Sequence, residues 1–463
     1  MFFQQVYEKS LAHFSYVIGC QMTGEAIVID PKRDIDTYLE IAKAENLSIQ
    51  YIAETHIHAD YLSGSQELAH VTGAQLLLSD EGGADWQYDF PHIGLKDGDS
   101  FKVGNLVFDI LHTPGHTPES ISFLLTDTMA SPEPVMIFTG DFVFVGDVGR
   151  PDLLEEAAGM IGTKEVGAKQ LFESIEKFKA LPDFVQVFPA HGAGSACGKA
   201  LGAVPSSTVG YEKMRNWALQ YGENEAGFTE FLLKDQPEAP FYFGNMKKLN
   251  KTKRSLLAGV PKLNQLTALE FEKVKDFRLK LIDTRSKQAF SEKHFPGSIN
   301  IENSKSFNTW MGWMVNYEEQ ILLIANENEV EDLVRKLMRI GMDNIYGFIT
   351  PEELFSSDLE TSSISIIDRV QMEAYLKDSS VQILDVRSKK EFEAGQIPGA
   401  TSIFVGHLKN KWTELDPNKK TILYCQSGTR SAIASSFLAA KGFNIENYSG
   451  GYQDWSCQNV NKN

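Results

Sequence analysis

Five residues in the second half of this chain return at a single spacing. Asp283, Arg285, Phe290, Pro296 and Gly297 recur 102 residues later as Asp385, Arg387, Phe392, Pro398 and Gly399. Each copy opens on a short apolar run, Leu281-Ile-Asp-Thr-Arg-Ser-Lys or Leu384-Asp-Val-Arg-Ser-Lys. Each then adds a second apolar strand, Ile321 to Ile324 or Thr421 to Tyr424, and a helix. Solenoid repeats run to roughly 20–50 residues, so a period this long means two whole α/β domains in tandem. They are expected at 261–356 and 361–463.

The residues before the repeat, 1–245, alternate short β-rich runs with turns and helices. Ala26 to Asp30, Leu106 to Leu111, Val135 to Thr139 and Phe184 to Phe188 read as buried strands. Lys164 to Ala180 reads as an amphipathic helix with Val166, Leu171, Ile175 and Phe178 on one side. This is a large α/β domain. The basic, sparsely apolar stretch from Lys247 to Arg254 reads as an exposed linker within 246–260.

Charge and cysteine content narrow the function classes. A formal charge of -18 disfavours nucleic acid and anionic membranes, which are themselves polyanions. No basic segment leads into an apolar run at the start, and no apolar run approaches the ~18 residues of a membrane span. The expectation is a cytoplasmic protein; a homo-oligomer is left open. Cys20, Cys197, Cys425 and Cys457 are too few for a disulfide framework, so each is expected as a free thiol. Cys20 and Cys457 are expected to be inert.

Metal-type side chains stand just past several of the predicted strands. Thr55-His56-Ile57-His58-Ala59-Asp60-Tyr61 follows the apolar run Ile49 to Ala53. His116 lies in Thr113-Pro-Gly-His-Thr-Pro, Asp141 in Phe138-Thr-Gly-Asp-Phe and His191 in Pro189-Ala-His-Gly. Strand-end loops can bring all of them to one edge of a layered fold, and imidazole with carboxylate is a first-row metal donor set. Together these four motifs resemble the metallo-β-lactamase fold, an αββα sandwich, across the first 245 residues. That fold hosts zinc hydrolases as well as iron dioxygenases. A dinuclear hydrolase of the glyoxalase II kind would build its second site from Asp60, the next residue, a bridging Asp141 and His191. Here the next residue is Tyr61, a poor ligand because a phenol with a pKa near ~10 stays protonated. His56, His116 and Asp141 remain as a set of two imidazoles and one carboxylate, the facial triad of non-haem Fe(II) oxygenases. His58, Asp60, Tyr61, Asp152 and His191 are then expected to orient the ligands. Gly146-Asp-Val-Gly-Arg150-Pro-Asp152 resembles a pocket-shaping stretch of persulfide dioxygenases. Arg150 is read either as a holder of the anionic substrate or as a structural ion pair with Asp152 or Asp147.

A thiol loop marks the second repeat. Tyr424-Cys425-Gln426-Ser427-Gly428-Thr429-Arg430-Ser431 follows a strand and opens an apolar helix. Backbone N–H groups and the positive helix end favour an anionic sulfur there, and Arg430 adds donors. Four residues between Cys425 and Arg430 make a ring for a persulfide or a sulfite-sized group, held by Gln426, Ser427, Gly428 and Thr429. This loop and its Asp385/Arg387 framework resemble an active rhodanese sulfurtransferase. The first repeat places Ala325-Asn-Glu-Asn at the same point, with Glu327, Glu329 and Glu331 around it, and no nucleophile. It is read as an inactive rhodanese module with a structural or docking role. Cys197, six residues past His191 and two before Lys199, is read either as a sulfur-accepting thiol near the metal or as a small packed residue.

The whole chain therefore resembles the bacterial persulfide dioxygenase–rhodanese fusions. The resemblance implies mononuclear Fe(II), a thiol persulfide such as that of glutathione or coenzyme A, O₂, and sulfite exchanged with thiosulfate at Cys425. The rival is a zinc thioester hydrolase fused to a sulfurtransferase.

Overall fold

Alternate side chains of single strands feed two different cores in the N-terminal part. In His13–Cys20, Phe14, Tyr16 and Ile18 point one way and Val17 the other. In Glu25–Ile29, Ile27 and Ile29 point one way, Ala26 and Val28 the other. A strand that is apolar on both faces belongs to a sheet covered on both sides. This computed structural model describes residues 1–153, 155, 162–199, 201–275, 277–356 and 358–457, so the end of the C-terminal domain, 458–463, lies outside the described residues. The chain divides into two units, Met1–Pro261 with Arg335–Gly341, and Lys262–Val334 with Met342–Asn463.

The first unit holds two six-stranded sheets. One runs in the order Phe2–Glu8, His13–Cys20, Glu25–Ile29, Ser48–Ala53, Gln75–Ser79 and Ile93–Leu95. The other runs Ser207–Thr208, Gln186–Pro189, Met136–Gly140, Ile121–Asp127, Leu106–His112 and Ser100–Val103. Phe14, Tyr16 and Ile27 of the first sheet meet Phe108, Phe123 and Phe138 of the second in the central core. Helices Asp36–Ala44 and Ser65–Thr72 bury Tyr38, Ala42 and Leu68 on the outer face of the first sheet. Helix Lys164–Lys179 buries Leu171, Ile175 and Phe178 on the second. The layers are helix, sheet, sheet, helix.

Two expectations fail here. Val166 is 58% exposed, and Ala168 takes its place on the buried face. Ala168, Leu171, Ile175 and Phe178 follow the 3-4-3 spacing of one helical stripe, and Val166 lies off it. The stretch expected as an exposed linker instead lies largely within helix Tyr242–Lys251, which buries Tyr242, Phe243, Met246 and Asn250. Lysines obscure the pattern, but Met246 and Asn250 stand four apart on one face.

In the second unit, each copy of the repeat forms its own parallel sheet. The first orders Ile299–Asn300, Leu279–Asp283, Gln320–Ile324 and Ile345–Ile349. The second orders Ser365–Ile367, Ile445–Tyr448, Lys420–Tyr424, Val381–Asp385 and Thr401–Ser402. The repeated residues do the same work in each copy. Arg285 grips Asp283 (Nη2–Oδ2 2.6 Å) and Lys293 O (2.8 Å); Arg387 grips Asp385 (2.7 Å) and Gly395 O (2.6 Å). Gly297 (φ 86°) and Gly399 (φ 78°) both sit in the left-handed region, where a side chain is strained. The echo that exposes the duplication is structural. Among the described residues no helix is long and apolar enough to cross a membrane.

Candidate metal centre and thiol loop

His56, His116 and Asp141 converge at the ends of three different strands, with ligand atoms all within 4.8 Å of one another. Asp141 Oδ2 lies 3.5 Å from His116 Nε2 and 4.0 Å from His56 Nε2. All three side chains are buried. His116 Nδ1 is 2.8 Å from Arg150 O. A carbonyl can only accept, so Nδ1 carries the proton and the Nε2 lone pair faces Asp141. On His56, Nδ1 meets Thr55 Oγ1 at 3.0 Å, and that hydroxyl donates to Asp30 Oδ2 at 2.9 Å. Such outer partners orient metal-binding imidazoles. Burial and the neighbouring imidazoles hold His56 well below the usual histidine range, and burial lowers His116, so both are neutral donors. His56 Nε2 and both Asp141 oxygens are buried without a hydrogen-bond partner. Orphaned donor-set atoms of this kind fit a bound cation.

His58 does not join them. Its Nε2 lies 3.2 Å from Asp30 Oδ1 and 3.3 Å from Glu54 Oε2. Burial opposes its charge, but these two carboxylates push it well above the usual range. Tyr61 O–H donates to Asp30 O at 3.2 Å, and burial pushes its phenol up. Asp60 and His191 lie 3.3 Å from each other, and His191 Nε2 is 3.5 Å from Asp141 Oδ1, so they adjoin the set through its carboxylate. Cys197 completes a second cluster with them, again within 4.8 Å. Burial, Asp141 and Asp60 push its thiol up. Lys199 does not favour a thiolate there, as its amine bonds Phe231 O and lies over the Phe231 ring instead.

Arg150 is buried, and its guanidinium meets Asp152 (Nε–Oδ1 2.8 Å, Nη2–Oδ2 2.5 Å) and Pro237 O (2.6 Å). The geometry is that of the structural ion pair, with the substrate-holding role unsupported by any free face. Gly149 beside it allows a close approach, since a Cβ there would lie 1.9 Å from Asp141 O. Several residues at the site carried no sequence signal. Asn250 donates to His58 O and Tyr61 O, both at 2.8 Å, and accepts from Ser63 N at 2.9 Å. His13 is buried with both ring nitrogens unpartnered and packs against Tyr61, the ring centroids 4.1 Å apart and the planes tilted by 43°. Asp30 did carry a signal, as an acidic residue ending a predicted strand.

In the second unit, Cys425 follows strand Lys420–Tyr424 and precedes helix Thr429–Ala439. Gly428 N donates to Cys425 Sγ at 3.1 Å. Gly428 has φ 92°, and a Cβ there would lie 2.6 Å from Ser449 O. The loop is tied from outside, with Tyr452 N donating to Cys425 O (2.8 Å) and Gln453 N to Gln426 O (3.1 Å). Gln426 Oε1 is 3.4 Å from Arg387 Nη1. Arg430 is not turned into the ring as a free donor. Glu391 holds it through both oxygens, at 2.6 and 2.7 Å. In the first copy, Ala325 follows its strand, and Glu327–Glu329 forms a short 3₁₀ turn at the equivalent point.

Comparison with known proteins gives both halves a family. The metallo-β-lactamase superfamily matches residues 10–191, and the rhodanese-like domain matches twice, at 267–348 and 368–458. The mitochondrial persulfide dioxygenase of Homo sapiens is 31% identical over 191 residues, which cover 41% of this chain and 67% of that protein. A hydroxyacylglutathione hydrolase of Pseudomonas entomophila is 35% identical over 164 residues, covering 35% of this chain and 56% of that protein. A crystal structure described as a metallo-beta-lactamase from Staphylococcus aureus is 44% identical with a TM-score of 0.69. It covers 76% of this chain and 99% of that one.

Proposed function

This chain belongs to the metallo-β-lactamase superfamily and fuses a domain homologous to persulfide dioxygenases with two rhodanese-like domains, and from that premise we propose that it oxidises thiol persulfides and moves the sulfur onward. The substrate is a low-molecular-weight thiol persulfide, RSSH, such as that of glutathione or coenzyme A. The first reaction is RSSH + O₂ + H₂O → RSH + SO₃²⁻ + 2H⁺. The observation that carries this reading is the convergence of His56, His116 and Asp141 as one three-residue set, while His58 clusters with Asp30 and Glu54. Two neutral imidazoles and one carboxylate suit a mononuclear Fe(II), which would supply O₂ activation next to the persulfide.

The chain's own residues prepare that site. Arg150 O and the Thr55–Asp30 relay hold the two imidazoles in the ligating tautomer. The Arg150–Asp152 pair braces the wall. Cys425 then performs sulfur transfer. Its thiolate attacks the outer sulfur of RSSH, the RS–S bond breaks, and RS⁻ leaves with the electron pair and takes up a proton. Sulfite next attacks the outer sulfur of the Cys425 persulfide, releasing thiosulfate and the Cys425 thiolate. Run backwards, the same steps make persulfide from thiosulfate. The Gly428 N–H and the helix behind it stabilise the anionic sulfur throughout. The four unpaired thiols suit a reducing compartment, and we place the reaction in the cytoplasm.

Product analysis tests the coupling. With glutathione persulfide in air, the protein should yield thiosulfate, and Cys425→Ser should yield sulfite with O₂ consumption unchanged. Loss of both products in Cys425→Ser, or sulfur release without O₂ consumption, would contradict the scheme.

A further inference from the structure

The inactive rhodanese module reaches the active one through a single lysine. Helix Lys287–Glu292 follows the first copy's Asp283/Arg285 pair, and Lys287 Nζ lies 3.4 Å from both Ser427 O and Thr429 Oγ1 of the Cys425 loop. A Cβ added at Gly428 would stand 3.5 Å from the same amine. Both acceptors are neutral, and among the described residues no carboxylate pairs with this Nζ. The loop's own cation is occupied, since Glu391 holds Arg430 by both oxygens. Lys287 is therefore the ammonium at the rim of the thiol loop that is left to meet an incoming anion.

A cleft of about 510 Å³ opens beside it. Lys287 and Ser291 line one wall, and Ser363, Ser365, Asn447 and Ser449 line the other. Ser449 is the residue whose carbonyl packs against Gly428 of the loop, so the cleft abuts the thiol site directly. Its walls are pinned together by backbone bonds between the two modules. His294 N donates to Ser362 O, Ser362 N to His294 O, and Ile364 N to Ser291 O, each at 2.9 Å. Glu292 also lines the cleft, but Gln288 Nε2 donates to it at 3.1 Å. A space of this size, lined by serine hydroxyls, the amides of Gln288 and Asn447, and the side chains of Ile364 and Ile366, with one ammonium at the reactive end, suits the body of a small ligand.

We propose that this cleft binds the non-reacting body of an anionic, amide-bearing thiol, with Lys287 of the inactive module pairing with its carboxylate or phosphate. The site places the outer sulfur of the persulfide before Cys425 for the exchange written above. It explains why a module without a nucleophile is retained in contact with the loop. The inference rests on sulfur transfer at Cys425, and its test is built to fail separately from that reading.

The probes are S-methylglutathione and S-methyl-coenzyme A, thioethers that do not consume the reagent, used to slow iodoacetamide alkylation of Cys425 in the full-length protein, followed by mass spectrometry. Protection should require about fivefold more of either probe in Lys287→Gln, and Lys287→Arg should restore it. In the transfer assay, Lys287→Gln should raise KM about fivefold for glutathione persulfide with kcat little changed, and leave KM for the uncharged 2-hydroxyethyl persulfide alone. Absence of protection in the unmodified protein, or an equal loss for charged and uncharged thiols, would overturn the proposal. Lysine-dependent protection without any Cys425-dependent transfer would instead overturn the sulfurtransferase reading and leave the binding site standing.

Discussion

Asp30 Oδ1 lies 3.2 Å from His58 Nε2, in a cluster with Glu54 separate from His56, His116 and Asp141. The same carboxylate accepts from Thr55 N at 2.7 Å and, through its other oxygen, from Thr55 Oγ1 at 2.9 Å. One side chain thus contacts His58 directly and His56 through Thr55, two histidines that stand two residues apart in sequence.

Metal binding should follow this division. His116→Ala removes a ligand and should abolish stoichiometric metal. His58→Gln should retain one equivalent. Asp30→Asn weakens the outer support and should lower affinity by roughly 10-fold or more, in the range typical of lost outer-sphere partners. Competition with a chromophoric chelator reads all three. Equal loss in His58→Gln and His116→Ala would show that His58 is a ligand.

Asn250 tests whether the segment expected as a linker supports the site. Asn250→Ala strands the carbonyls of His58 and Tyr61 and the N–H of Ser63 in a buried place. Each orphaned group costs about 1–3 kcal/mol, so a loss of roughly 3 kcal/mol is expected from the first unit. Urea titration followed by a probe in the first unit should show a lower midpoint. An unchanged midpoint would return this stretch to the role of tether.

Glu391 gives a pH signature to the thiol domain. Burial would raise its carboxyl, but Arg430 and the Ser388 cap outweigh that and hold it down to about 2. A carboxyl whose folded value is depressed stabilises above its unfolded value and loses that contribution as pH falls toward the folded one. The Tm difference between the protein and Glu391→Gln should be full at pH 6 and shrink between about pH 4.5 and pH 2. A difference that is constant with pH would mean the pair contributes packing alone.

Much of this architecture was legible in the chain. The Asp283/Arg285 and Asp385/Arg387 echo is visible because both copies need the same ion pair to lock a strand end. The candidate metal set is visible because each candidate ligand stands just past an apolar run. What escaped depends on distance along the chain. Asn250 reaches His58 O across 192 residues, and Lys287 reaches Ser427 O across 140. Arg430 was read as closing the thiol loop, yet it stands in the first turn of helix Thr429–Ala439, and Glu391, 39 residues earlier, decides where its guanidinium goes. Local patterns placed the side chains, and only packing could say which of them remained available.

The central claim is that one iron at His56, His116 and Asp141 couples O₂ to persulfide oxidation. An oxygen electrode should therefore be used on protein of measured metal content, loaded anaerobically with Fe(II) or with zinc, with glutathione persulfide as substrate. The account predicts one O₂ consumed per sulfite-equivalent formed in the iron form, with about one iron per chain, and no uptake in the zinc form. Stoichiometric zinc in the isolated protein, with thioester hydrolysis and no persulfide-dependent O₂ uptake after iron loading, would contradict it.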